Sequence, residues 1–283
     1  MIRSYFFIVA VVTTVSSSAS AEVTERCHGV ATHFDVAMPF ASGDIPESVT
    51  TDQQGNLYIS RGNQILQRSA EGALTVWATL PLPIYALGVK VGPDGCVYNA
   101  STSLSEVAGA FVWRSCQPNS IEMYAELDPA GAPNDLAFDS RGNLFVTDPV
   151  LGRVWKVDSA GTPEIFVEHA LLQGDLAHPA LVFRALGVNG IALDDRERFV
   201  YLSNTDSGSI LRVGLHAAHP VPTIVVQSSL LRGADGVAFD RSGTLFVTVN
   251  GSDSLVSVTR EREVRLLATG APLDSPSSVA FGA

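Results

Sequence analysis

The chain has 283 residues, 46% of them hydrophobic and 17% charged, with a formal net charge of −11. That apolar share allows a large buried core and excludes a disordered or low-complexity chain. The acidity makes nucleic acid and anionic lipid poor partners and suits a cation or a neutral small molecule.

The chain opens with MIRSYFFIVAVVTTVSSSASA, in which Arg3 precedes a short apolar run from Tyr5 to Val12 and small residues close the segment at Ala19-Ser20-Ala21. This pattern predicts a signal peptide over 1–21, a secreted or periplasmic protein starting at Glu22, and one domain over 22–283. The apolar run is about half the roughly 20 residues that span a bilayer, so no membrane attachment is expected after cleavage.

Further along, His33 to Phe40 reads as an isolated strand. From Pro46 onward one template recurs. Its copies are PESVTTDQQGNLYIS from Pro46, ALGVKVGPDGCVYNA from Ala86, PNDLAFDSRGNLFVTD from Pro133, VNGIALDDRERFVYLSN from Val188 and ADGVAFDRSGTLFVTVN from Ala234. A sixth copy, PSSVAFG from Pro276, stops with the chain. Each copy is an apolar strand, a tight turn such as Asp139-Ser140-Arg141-Gly142, and a second strand such as Leu144 to Thr147. Two weaker strands follow, for example Arg153 to Val157 and Glu164 to Val167.

Four strands per unit, at spacings of 40 to 55 residues, predict the blades of a β-propeller and not a helical solenoid. Six registers predict an all-β, six-bladed β-propeller. Its last blade is short of strands, and His33 to Phe40 is expected to close it and remove a sheet edge. In the second blade, Cys96 opens CVYNA and Cys116 closes FVWRSC, so a hairpin would set the thiols opposite each other. A Cys96–Cys116 disulfide is expected, which fits export; Cys27 is left over.

The first strand of a blade lies nearest the propeller axis, so equivalent residues at its start converge on one face. Those positions hold Glu47, Leu87, Asn134, Asn189, Asp235 and Ser277. Four oxygen side chains in one register, two of them anionic and none Cys or His, predict a hard divalent cation bound by Glu47, Asn134, Asn189 and Asp235, with calcium (Ca2+) favoured. Two carboxylates brought together unpaired would be costly, which also calls for positive charge between them. By contrast Asp52, Asp94, Asp139 and Asp240 begin the DxxG turns at the opposite face, where Asp bonds its own backbone, and they are expected to be structural.

Second strands return to the metal face, so Asp148, Asn204 and Asn250, together with Asp135, are candidate pocket walls. The longest interval holds His169 to Leu186 and is expected to overhang the cation as a partial lid offering His178, Phe183 and Arg184. Serine-hydrolase elbows, phosphate loops and dinucleotide glycine fingerprints do not occur.

The segments PNDLAFDSRGNLFVTD, VNGIALDDRERFVYLSNTDSGSILRV and ADGVAFDRSGTLFVTV resemble the senescence-marker-protein/gluconolactonase/luciferin-regenerating-enzyme family. The resemblance implies an axial calcium held by a Glu, two Asn and an Asp, at Glu47, Asn134, Asn189 and Asp235 in order. Asp135 after Asn134 also matches a family Asn-Asp pair. Some sugar-lactonase members carry Arg two residues before that Asn, where this chain has Ala132, which points away from a sugar lactone. The resemblance implies a monomeric, metal-dependent hydrolase of a lactone or related ester acting on a small molecule, with Asp235 as ligand and general base. The alternative is a non-catalytic propeller that binds a small ligand or a protein partner around a structural calcium.

Overall fold

A computed structural model describes residues 10–12, 46–103, 109–181, 185–270 and 273–282. They form five antiparallel four-stranded sheets, each a meander whose strands neighbour one another in chain order. Blade 1 comprises Pro46–Thr51, Leu57–Arg61, Gln64–Arg68 and Leu74–Thr79, and blade 2 comprises Ile84–Val91, Val97–Ser103, Ala110–Ser115 and Glu122–Glu126. Blade 3 is built from Leu136–Phe138, Leu144–Asp148, Arg153–Val157 and Pro163–Glu168, and blade 4 from Val188–Leu193, Phe199–Asn204, Ser209–Gly214 and Thr223–Gln227. Blade 5 holds Ala234–Phe239, Leu245–Val249, Ser254–Val258 and Val264–Thr269.

The sixth position is filled by Val279–Phe281. Contacts between innermost strands run from Pro46–Thr51 to Ile84–Val91, Leu136–Phe138, Val188–Leu193, Ala234–Phe239 and Val279–Phe281, which touches Pro46–Thr51 again. The protein is therefore a β-propeller whose innermost strands close a circle of six. Among the described residues the partner of Val279–Phe281 is Ala10–Val12, paired in parallel. The stretch from His33 to Phe40, expected to close this blade, lies outside the described residues.

Burial falls from axis to rim. Every residue of Leu144–Asp148 is buried, whereas Pro163–Glu168 at the edge of the same blade alternates and is mostly open. The core lies between blades, as sheet faces pack on one another: Tyr98, Val112, Leu136, Val146 and Trp155 join blades 2 and 3, and Ala137, Phe145, Ile191, Val200 and Leu211 join blades 3 and 4. One inter-blade ring contact repeats. Tyr98 meets Phe138, Tyr201 meets Phe239 and Phe246 meets Phe281, each edge-to-face with centroids 4.8, 5.0 and 5.1 Å apart. Such pairs add about 0.5–1.5 kcal/mol beyond their buried area.

The DxxG turns behave as local backbone devices. Asp139 accepts the amides of Arg141 and Asn143, Asp240 those of Ser242 and Thr244, and Asp52 those of Gln54 and Asn56. A disulfide joins Cys96 to Cys116.

At the opposite face the ladders break where the axial residues stand. In blades 1, 2, 4 and 5 the register shifts between Pro46 and Val49, Ala86 and Val89, Val188 and Ile191, and Ala234 and Val237. Each bulge frees two residues from pairing, and the first of the two is the axial residue. The second lies against the next blade. A Cβ on Gly88 would collide with the carbonyl oxygen of Asn134, and one on Gly190 with that of Asp235. Gly88→Ala and Gly190→Ala are each expected to destabilise the fold by about 1–3 kcal/mol, as overpacking does. The urea midpoint measured by circular dichroism checks this.

Candidate metal centre

Four of the six axial residues meet at a small cleft. Glu47, Ser48, Asn134, Asp135, Asp235, Gly236, Ser277 and Ser278 line it. Asn189 is buried deeper, at 2% exposure, and its amide nitrogen donates to Thr205 Oγ1 at 3.1 Å. With the nitrogen so engaged, its Oδ1 has no partner. A buried amide oxygen left unmatched is costly, and a cation ligand would relieve that cost.

Behind the cleft a row of hydroxyls sets the backbone. Ser60, Thr147 and Ser203 accept the amides of Ser48, Asp135 and Gly190 at 2.9, 3.0 and 2.7 Å. Thr147 also donates to the carbonyl of Asn189 in the next blade, and Ser203 to that of Asp235. Thr248 donates to the carbonyl of Gly236 at 3.1 Å. In blade 2, where the axial residue is the apolar Leu87, the row holds Ala100 instead of a hydroxyl, and the Gly88 amide reaches the Asn134 carbonyl directly at 2.6 Å.

The electrostatics of the cleft are one-sided. Burial pushes the Glu47 carboxyl up to about 7; a hydrogen bond from Asn134 works against the rise and the nearby Asp135 charge adds to it. Burial holds Asp235 well above the usual carboxylate range, and the charges of Glu47 and Asp135 push the same way. Asp135 is also raised by burial, against the attraction of Lys90 and the amides of Ile191 and Leu136. No cation is among the residues that line the cleft. Two carboxylates, two amide oxygens and a deficit of positive charge fit a hard divalent ion, and the absence of Cys and His disfavours zinc.

The other sequence candidates have different places. Asp135 lines the cleft, but its oxygens accept the amides of Leu136 and, across blades, Ile191 at 2.8 and 3.0 Å. Asp148 and Asn204 are fully buried and do not line the cleft. Asp148 accepts the amides of Ala132, Val150 and Leu151. Asn204 donates to the carbonyls of Leu171 and Gln173. Asn204 and the Oδ1 of Asp148 are engaged by loops that the linear order of strands does not reveal, while Asp148 Oδ2 has no partner. Asn250 reaches the Ser275 carbonyl at 3.3 Å.

In the insertion, His169 caps the short 3-10 helix Ala170–Leu172, and His178 points to solvent beside Asp175. None of the insertion's described residues lines the cleft, and Phe183 and Arg184 lie outside the described residues. What pins the insertion escaped the sequence reading. The buried carboxylate of Asp206 accepts the amides of Asp175, Ala180 and Leu186 at 2.9, 2.7 and 2.8 Å, and Arg232 donates to the carbonyl of His178 at 2.6 Å. Asp94, Cys96 and Cys116 also cluster, but the sulfurs are spent in the disulfide and Asp94 is held by Arg114 and Tyr98.

Residues 90–283, more than half of the chain, match the SMP-30/Gluconolactonase/LRE-like region. The chain belongs to the SMP-30/gluconolactonase/LRE-like family. No curated protein matches it in sequence. Solved structures similar to this family member include virginiamycin B lyase from Staphylococcus aureus, at 16% identity and TM-score 0.63 over 84% of this chain and 74% of that one. The gluconolactonase XC5397 from Xanthomonas campestris is similar at 16% identity and TM-score 0.59, over 82% of this chain and 78% of that one. A luciferin-regenerating enzyme matches at 16% identity and TM-score 0.61, covering 84% and 80%. At these identities the likeness concerns the fold alone.

For this SMP-30/gluconolactonase/LRE-like chain the raised carboxyls fix a pH dependence. Unfolded, Glu47 titrates near 4.5, and folded near 7, so between those values the folded chain holds more protons than the unfolded one. The contribution to stability is therefore complete below the lower value and is lost as pH rises through the upper one. Asp235 acts in the same sense. In chelator, the melting temperature is expected to fall from pH 4.5 to about 7, and added calcium to abolish the fall by replacing protons. Calorimetry with and without the ion measures both.

Proposed function

We propose that this chain is an exported, calcium-dependent hydrolase of a lactone or related ester, acting as a monomer on a small uncharged molecule. The observation that carries the reading is the burial of Glu47 and Asp235 in one cleft lined by no positive side chain, with an unpartnered Asn189 oxygen in the same axial register. Family membership supports a lactonase-like activity, and the likeness to structures named gluconolactonase points to the same class.

Glu47, Asn134, Asn189 and Asp235 would hold the ion, with another divalent cation as the alternative occupant. When bound, the ion supplies Lewis acidity that polarises an ester carbonyl and offsets developing negative charge. Asp235 accepts the proton of the attacking water at its carboxylate. Glu47 anchors the ion, and the Asn134 side chain favours its charged form. Asp135 lies too firmly bonded to backbone amides to transfer protons, so it positions the backbone at Leu136 and, in blade 4, at Ile191.

Export is supported by the leader-like segment over 1–21, whose cleavage would take the Ala10–Val12 strand away from Val279–Phe281, and by a disulfide, which persists where the surroundings are oxidising. No helix among the described residues is long and apolar enough to cross a membrane. A second reading makes the ion structural only, and the place of the axial residues at the junction of blades favours it.

Two measurements separate these readings. Under the hydrolase reading a panel of lactones, esters and phosphotriesters contains at least one substrate, whose turnover stops with chelator. Asp235→Asn should then lower kcat/KM by about 10²-fold or more. The same substitution should raise the chelated protein's melting temperature, since it removes a buried charge beside Glu47. Calcium-dependent stability without turnover of any panel member would leave the structural reading standing.

A further inference from the structure

The circle of innermost strands fixes the order of the axial residues as Glu47, Leu87, Asn134, Asn189, Asp235 and Ser277, with Ser277 between the two carboxylate bearers. Although only three residues of strand follow it, the segment at Ser277 is stitched on both sides. Its carbonyl accepts the Gly236 amide from blade 5 at 2.8 Å, and Ser278 Oγ accepts the Val49 amide from blade 1 at 3.3 Å. Its backbone is thus held as those of Asn134, Asn189 and Asp235 are, each with a carbonyl bonded from the preceding blade.

The side chain is what sets Ser277 apart. It is 3% exposed, lines the same cleft as Glu47, Asn134 and Asp235, and its Oγ has no hydrogen-bond partner. The hydroxyls of Ser60, Thr147, Ser203, Thr248 and Ser278 are all engaged with backbone groups. Ser277 shares its unpartnered state with Asn189 Oδ1, the other orphaned oxygen in the axial register. A buried hydroxyl left unmatched costs stability, so a serine with no structural bond in this position calls for a ligand. A neutral hydroxyl oxygen is a hard donor of the kind that completes a calcium shell of 6 to 8 oxygens.

We propose that Ser277 contributes its hydroxyl as a fifth protein oxygen to the axial cation site, an inference that rests on the cation in the reading above. The donors then occupy five consecutive positions of the circle, from Asn134 round to Glu47, and the arc is broken only by Leu87. The role of Ser277 is to hold the ion, not to take part in bond breaking.

Calorimetric titration of the chelated, dialysed full chain with calcium chloride tests this, using the unsubstituted protein, Ser277→Ala and Ser277→Asn. Removing an orphaned hydroxyl should leave the melting temperature of the chelated protein unchanged or higher, while Ser277→Ala weakens calcium binding by about tenfold. Ser277→Asn, which supplies the amide oxygen used at two sister positions, should recover part of that loss. Equal calcium Kd values for the unsubstituted and Ser277→Ala proteins would overturn this inference alone. So would a lowered melting temperature of Ser277→Ala in chelator, which marks a structural hydroxyl. Failure of the unsubstituted protein to bind calcium removes the cation reading and this inference with it.

Discussion

The carbonyl at the start of an innermost strand accepts a hydrogen bond from the blade before it, and the axial site depends on that bond. Gly88 reaches Asn134, Thr147 reaches Asn189, Ser203 reaches Asp235 and Gly236 reaches Ser277. A buried carbonyl must be matched, so blades cannot slide past one another without losing the match. The residue after each axial position is constrained by the same geometry. It is glycine at Gly88, Gly190 and Gly236, where a Cβ would strike the neighbouring backbone. Two of the three residues there that are not glycine form a bond across the gap, Asp135 to Ile191 and Ser278 to Val49.

Rigid backbone at this face is what allows charge to be concentrated there. Glu47 and Asp235 repel each other and both lose hydration, which a mobile chain would relieve by moving them apart. The bulges aim these side chains inward while their main chains are fastened to adjacent blades, so relief has to come from a proton or a cation. The apolar core between blades and the repeated edge-to-face ring pairs supply the stability against which this local strain is held.

Much of this was legible from the chain because the repeat carries register as well as architecture. Aligning PNDLAFD with VNGIALD and ADGVAFD places Asn134, Asn189 and Asp235 at one level without any knowledge of the third dimension. The Asp of each DxxG turn was legible for a local reason, since its bonds span only two to four residues. The length of the insertion suggested His178 as part of a lid, yet it faces solvent beside Asp175. Asp148 and Asn204 do not line the cleft, because strand direction gives the face on which a residue lies but not what its polar atoms touch. Their partners belong to connecting loops of irregular conformation. The hydroxyl row at Ser60, Thr147, Ser203 and Thr248 was present in the repeat at a fixed offset, but Ser and Thr are so common in strands and loops that spacing alone did not single it out. Ser277 was in register too; only its burial without a partner distinguishes it from an ordinary serine.

The long insertion between blades 3 and 4 is latched through main-chain groups. Asp206 holds three of its amides and Asn204 two of its carbonyls, so neither anchor reads the identity of the residues it grips. Any residue other than proline can occupy the three amide positions and keep its bond. The loop can therefore exchange its side chains over evolutionary time while its path stays the same, and new surface chemistry can arise beside the axis without disturbing the axis itself.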